Sequence, residues 1–179
     1  EILTRFGIRL LSSFIYKTEG LYAEYSFVEE LISSLKNHNA IPVAVGSGTI
    51  NDLPKLASYR TQRPYMCVAT AASMDGYTAF VASIPANGAK QTFDCPAPQA
   101  CLADIAIISK APAEMTASGY GDLFAKITAG ADWILAHMLD VELIDKQSLC
   151  IVQDGLHESL SNPEGVQNGD VRAISALTE

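Results

Sequence analysis

The amino-acid sequence predicts an α/β fold, with a parallel sheet and crossover helices first and an all-helical part after them. Three observations predict it. Short continuous apolar runs over 40–45, 65–70 and 102–109 have the length and composition of strands buried on both faces of a parallel sheet. Gly46-Ser47-Gly48 and a helical pattern separate the first two runs, which makes a strand–helix–strand unit of about 30 residues. Beyond residue 110 the strand signals stop and helical periodicity takes over. The sequence therefore divides into an α/β domain over 1–110 and a helical domain over 111–179.

Each element has its own signal. Ser26, followed three residues later by Glu29, reads as a capping box, in which each side chain satisfies a free backbone donor at a helix start. Phe27, Val28, Leu31, Ile32 and Leu35 then recur at helical spacing and predict an amphipathic helix over 27–38. The next helix is expected over 51–59, with Pro54 in its first turn, where a missing N–H does no harm. The crossover joining the two strands is right-handed, as such units are. Asn87-Gly88, between short runs at 80–84 and 90–93, is a hairpin signal. Pro112 suits the first position of a helix running toward Gly119. A separate long helix is expected over 121–139, on Leu123, Ile127, Ala131, Ile134, Leu135 and Met138. Gly155, Asn162-Pro163 and Asn168-Gly169 mark loops, and Asp170 is placed to cap a last helix.

Composition narrows the function. With 179 residues, 49% of them hydrophobic, the chain can bury one sizeable core, or one domain and part of a second. The net charge of −8 argues against a nucleic-acid partner, because phosphate backbones recruit Lys and Arg. Cys67, Cys95, Cys101 and Cys150 form no C-x-x-C pair, and three of them lie in or beside apolar runs. Reduced thiols in a cytoplasmic protein are the expectation. The apolar segment 5–16 has poor signal-peptide flanks and is too short to span a membrane, so no membrane association is expected. The chain starts at Glu1 without Met and ends at Glu179 inside a helical pattern, so a piece of a longer protein is expected.

Three segments can carry chemistry. Gly46-Ser47-Gly48-Thr49-Ile50-Asn51-Asp52 joins a strand to a helix start, where glycines allow close backbone approach and first-turn N–H groups favour an anion. It lacks the third glycine of the dinucleotide fingerprint and the Gly-Lys-Ser/Thr of a P-loop, so a plain βα turn explains it equally well. Thr70-Ala71-Ala72-Ser73-Met74-Asp75-Gly76 follows the next strand, and ligands of open α/β sheets bind at such carboxyl ends. Asp75 can hold a polyol hydroxyl or serve as an ordinary turn aspartate. Asp122, expected at a helix start, fits either a dipole-favoured first-turn acid or a hard oxygen ligand for a divalent metal. His38, His137 and His157 show no i, i+4 metal spacing, and no Ser-His-Asp arrangement follows from them.

Together, residues 45–53, 70–76 and 119–123 resemble the sn-glycerol-1-phosphate dehydrogenases of the iron-containing alcohol dehydrogenase and dehydroquinate synthase-like superfamily. The likeness covers roughly residues 40–140. It implies a Rossmann-like, dehydroquinate synthase-like fold and an NAD(P)-linked, metal-dependent dehydrogenase. By the same resemblance Gly48, Thr49, Ile50, Asn51 and Asp52 cradle the NAD or NADP pyrophosphate. Thr70, Ala71, Ala72 and Ser73 line the cofactor toward the nicotinamide, and Asp75 holds a substrate hydroxyl. Asp122 binds one divalent metal (zinc, nickel or iron), whose remaining ligands are histidines from later helices. The substrate implied is a small phosphorylated polyol or ketone, and the assembly a homo-oligomer. A serine usual in the family four residues after Asp75 is Ala79 here, and the element that binds the adenosine ribose is not recognisable. Only Lys55 and Lys126 lie near these motifs as cations for a phosphate. A lyase of the same superfamily using bound NAD and a non-catalytic nucleotide-binding module are the alternatives.

Overall fold

The computed structural model describes residues 5–11, 13–16 and 21–179. In chain order the elements are α1 (Tyr25–Leu35), β1 (Val43–Gly46), α2 (Gly48–Arg60), β2 (Met66–Ala69), a 3-10 turn (Gly76–Thr78), β3 (Val81–Ala86), β4 (Ala89–Asp94) and β5 (Ala100–Ala103). Helices α3 (Ile105–Ile108), α4 (Ala113–Met138), α5 (Lys146–Gln153), α6 (Leu156–Ser159), α7 (Pro163–Gln167) and α8 (Val171–Thr178) follow.

The strand–helix–strand unit forms as the pattern predicts. β1, β2 and β5 make a parallel sheet in that order, with Val43 opposite Met66 and Cys67 opposite Cys101. The expectation of strands buried on both faces is corrected: Ala44, Cys67 and Ala69 are buried, whereas Val43, Val45, Met66 and Leu102 stand exposed on the other face. Successive side chains point to opposite faces, so a continuous apolar run leaves half of its residues on the face that no described residue covers. Cys95 is buried as well, and Cys101 and Cys150 are exposed.

Asn87 and Gly88 form the hairpin turn. Both take positive φ (55° and 78°), as a two-residue turn between right-twisted strands requires. The hairpin folds Ala82 and Ile84 onto α1 and α2, where Val28, Leu31, Leu35, Leu53, Leu56, Ala57 and Cys95 complete the larger core cluster. A second cluster joins the end of β2 to the helical part through Ala69, Ala72, Ile108, Val166, Ala173 and Ile174.

Several local expectations are corrected. The capping box does not form: α1 starts at Tyr25 behind Glu24, no side chain caps it, and it ends at Leu35. Helix α2 starts three residues early, at Gly48, so Pro54 lies inside it rather than in its first turn. Residues 102–109 are not one strand. Asp104 accepts from the Ala106 N–H (2.9 Å) and caps a short helix, so β5 ends at Ala103. An aspartate able to cap locally outweighs the strand preference of the isoleucines that follow.

The break expected between Gly119 and Gly121 is also absent, and α4 runs unbroken from Ala113 to Met138. Gly119 is buried against the loop after β2. A Cβ there would fall inside the van der Waals shell of the Ala72 carbonyl oxygen and 2.8 Å from its carbon. Packing of the helix on that loop outweighs the roughly 1 kcal/mol that a mid-helix glycine costs. Asp170 and Asn162 cap α8 and α7 through backbone N–H groups, as the sequence predicts for Asp170. Among the described residues no helix is long and apolar enough to cross a membrane.

The two glycines of α4 provide a test. Gly119→Ala should lower the stability of the full-length protein by about 1–3 kcal/mol, because a backbone carbonyl blocks the added methyl. Gly121→Ala, whose Cβ meets nothing within 4 Å, should be neutral or stabilising by up to about 1 kcal/mol. Urea denaturation midpoints measure both, and equal effects would contradict the packing described.

Candidate active site

The site begins at the carboxyl ends of β1 and β2. The chain leaves β1 at Gly46, where a Cβ would meet that of Ile50 at 2.6 Å, so the tight turn into α2 admits no side chain there. Ser47, the residue before α2, makes no side-chain cap, and the first turn of α2 contains no acid. The first-turn N–H groups of a helix have no partner within it, and here they bring partial positive charge to the sheet edge. One is engaged: the Gly48 N–H donates to Ser73 Oγ (3.3 Å), which ties the glycine turn to the loop after β2.

The expected pyrophosphate residues separate into two groups. Gly48, Thr49 and Ile50 form the first turn of α2. Asn51 and Asp52 turn inward and are 1% and 9% exposed. The Asn51 amide donates to the Tyr77 carbonyl (3.4 Å) and to Asp52 Oδ1 (3.3 Å), and it accepts from the Tyr65 hydroxyl (3.2 Å). Asp52 Oδ2 accepts from the Ser83 N–H (3.4 Å), and burial raises its pKa against the opposing charge of Lys55.

Lys55 does not serve as a phosphate cation. Its side chain is 1% exposed, and Nζ donates to the carbonyls of Gly76 (2.9 Å), Ala79 (3.0 Å) and Val81 (3.0 Å). Burial lowers its pKa, with Asp52 acting in the opposite direction. All three ammonium donors are therefore used in holding the backbone just after Asp75. Lys55 shares its buried stretch of α2 with Asn51, Asp52 and Ser58, so the local sequence does not mark this role. The loop also closes on itself, since the Tyr77 hydroxyl donates to the Ala71 carbonyl (2.7 Å).

Asp75 and Asp122 lie 47 positions apart and meet directly: the Asp75 N–H donates to Asp122 Oδ2 (2.9 Å). Asp122 lies more than two turns inside α4, so the reading of a first-turn acid favoured by the helix dipole is corrected. Lys126, one turn further along the same face, pairs through Nζ with Asp75 Oδ2 at 2.5 Å. That hydrogen bond, with the charges of Asp75 and Asp122, raises the Lys126 pKa against partial desolvation. The i, i+4 spacing of Asp122 and Lys126 was the available sequence signal for this cluster.

The remaining candidates lie elsewhere. Ring Nδ1 of His38 accepts from the Ala40 N–H (3.2 Å), and that of His137 from the Ile144 N–H (3.4 Å), both local contacts. His157 lies in α6. Among the described residues no three His, Cys, Asp or Glu side chains cluster as a metal site. Asp122 fits a divalent cation as one hard oxygen ligand. The uncapped start of α2 fits an anionic group such as a pyrophosphate.

The family model described as iron-containing alcohol dehydrogenase matches residues 2–112. A glycerol-1-phosphate dehydrogenase [NAD(P)+] of Halalkalibacterium halodurans is 32% identical over 168 residues, 92% of this chain and 42% of that protein. Its counterpart in Pyrococcus furiosus is 38% identical, over 90% of this chain and 46% of its own length. The chain thus spans less than half the length of either relative. Among solved structures, a probable glycerol dehydrogenase from Sinorhizobium meliloti superposes with a TM-score of 0.73 at 18% identity, covering 90% of this chain and 49% of that one. Maleylacetate reductase from Rhizobium shares the fold at a TM-score of 0.65 and 17% identity, over 91% of this chain and 46% of that one.

Lys55→Met should destabilise the full-length protein by about 3 kcal/mol or more, since three carbonyls lose their donor and each buried unsatisfied group costs roughly 1–3 kcal/mol. Urea denaturation measures the loss. A change below about 1 kcal/mol would show that water replaces the ammonium at no cost.

Proposed function

This chain belongs to the iron-containing alcohol dehydrogenase family, and on that premise we propose that it carries the cofactor-binding half of an NAD(P)-linked, metal-dependent dehydrogenase. The reaction is the interconversion of sn-glycerol 1-phosphate and dihydroxyacetone phosphate. One observation supports it above the others. Two hydrogen bonds, Gly48 to Ser73 and Asp75 to Asp122, connect an anion-favouring helix start to a pair of carboxylates through one short loop. A cofactor phosphate and a reacting alcohol need that order of chemistry along one surface. The curated relatives named for this reaction support the same substrate class.

Each residue has a role in this reading. The N–H groups of Thr49 and Ile50 hold the pyrophosphate, Gly48 ties that turn to Ser73, and Asn51 and Asp52 fix it from beneath. Thr70 and Ser73 line the nicotinamide, and the small, buried Ala71 and Ala72 between them keep that wall low. Asp75 accepts a hydrogen bond from a substrate hydroxyl and so orients the carbon that changes oxidation state. Asp122 contributes one oxygen ligand to the metal (zinc, nickel or iron), and its contact with the Asp75 N–H keeps the two carboxylates in register. When bound, the cofactor supplies the hydride and the metal supplies Lewis-acid polarisation of the substrate oxygen. The α/β part to about residue 110 serves the cofactor, and the helical part after it serves metal and substrate. A cytoplasmic homo-oligomer completes the reading.

Full-length protein should bind NADH or NADPH saturably, measured by fluorescence or calorimetry, and consume it when dihydroxyacetone phosphate is added. Redox-neutral release of phosphate instead would identify a lyase. Asp75→Asn should lower kcat/KM by about 100-fold or more, while the cofactor Kd changes little; parallel loss of both would place Asp75 in the cofactor site. Asp122→Ala should remove about one equivalent of divalent metal per site, read by elemental analysis, and retention of the metal would rule out Asp122 as a ligand.

A further inference from the structure

In a chain with 20 acidic residues, the Lys126–Asp75 contact is the single side-chain ion pair among the described residues. It stands beside a second carboxylate, Asp122. A phosphorylated substrate brings a further negative charge to this place, and without a cation the two carboxylates would repel it. Lys55, the other lysine near these segments, has all three donors taken by backbone carbonyls. Lys126 uses one donor on Asp75 and keeps about a third of its side chain (29%) open to solvent. Asp75 uses one oxygen on Lys126 and is 43% exposed. The pair therefore offers a free acceptor and a free cationic donor side by side, which suits a molecule with a hydroxyl at one end and an oxyanion at the other.

We propose that Lys126 selects a phosphorylated substrate: its ammonium takes the phosphate oxyanion while the neighbouring Asp75 takes the hydroxyl. This rests on the dehydrogenase reading and names the residue that distinguishes a phosphorylated ketone from the bare one. Contact with Asp75 also fixes the lysine, so little side-chain freedom is left to lose when substrate arrives.

Full-length wild type is compared with Lys126→Met and Lys126→Arg in two measurements. The first is the ratio of kcat/KM for dihydroxyacetone phosphate to that for dihydroxyacetone; the second is a titration of inorganic phosphate followed by phosphorus NMR. Lys126→Met should reduce the ratio by about tenfold or more, the size of one charge-assisted hydrogen bond, and Lys126→Arg should recover most of it. Phosphate line broadening seen with wild type should disappear in Lys126→Met. If both ketones lose activity in parallel and phosphate binds as before, Lys126 only positions Asp75 and the proposal is overturned. If wild type reduces neither ketone, the dehydrogenase reading fails on its own terms. The titration still decides the lysine in that case: phosphate bound equally by wild type and Lys126→Met, or by neither, overturns its role.

Discussion

Gly119 lets the backbone of α4 approach the carbonyl of Ala72 more closely than any side chain permits. The candidate site depends on that approach. With α4 seated there, Asp122 comes to the Asp75 N–H and Lys126 to the Asp75 carboxylate, so two segments distant in sequence meet. The seat is reinforced from the far side, where Ala69 and Ala72 pack with Ile108, Val166, Ala173 and Ile174. Tyr120, next to Gly119, packs against this cluster and donates its hydroxyl to the Leu160 carbonyl (2.9 Å). The small residue at 72 therefore has a packing reason of its own.

Helix α2 serves two surfaces at once. Its first turn brings backbone N–H groups to the sheet edge, that of Gly48 bonded to Ser73, and from Asn51 to Ser58 every residue is buried. Those buried residues include an amide, a carboxylate and an ammonium, which is unusual for a core helix. The cost of burying them is offset because they bond to the residue before β2, to the loop after it and to the hairpin: Asn51 to Tyr65 and Tyr77, Asp52 to Ser83, Lys55 to three carbonyls. Backbone that would otherwise need water near a ligand site is satisfied from below by side chains. The loop carrying Asp75 is thus held by α2 on one side and α4 on the other. Two rigid helices limit its movement, which matters for a carboxylate that must meet a substrate in one orientation.

Much of the fold could be read from local signals because local physics decides those features. Asn87-Gly88 demands positive φ at two positions, and few sequences other than a hairpin turn do so. Asp170 caps α8 through N–H groups two and three residues away. The strand–glycine turn–helix unit is visible because the apolar run and the turn are contiguous. Within the candidate site, the glycine turn, the loop to Asp75 and the segment around Asp122 could all be singled out by residue type and order. Lys55 could not, since a charged residue on a helix usually faces solvent and nothing local says otherwise, and the i, i+4 spacing of Asp122 and Lys126 does not name Asp75 as the partner.

The sequence by itself determined where short-range geometry is forced: the hairpin, the glycine turn, the last cap and the alternation of strand with helix over the first hundred residues. Tertiary structure decided every case in which a local preference met a distant partner. Gly119 and Gly121 read as a helix break until the Ala72 carbonyl gives Gly119 a reason to be glycine inside a helix. Residues 102–109 read as one strand until β5 stops pairing with β2 at Ala103 and Asp104 starts a helix. Of the two readings open for Asp122, the dipole-favoured acid falls because the unbroken α4 places it away from any helix start. The reason is common to all three. Local propensities differ by about 1 kcal/mol per residue, and a single well-packed long-range contact is worth as much or more.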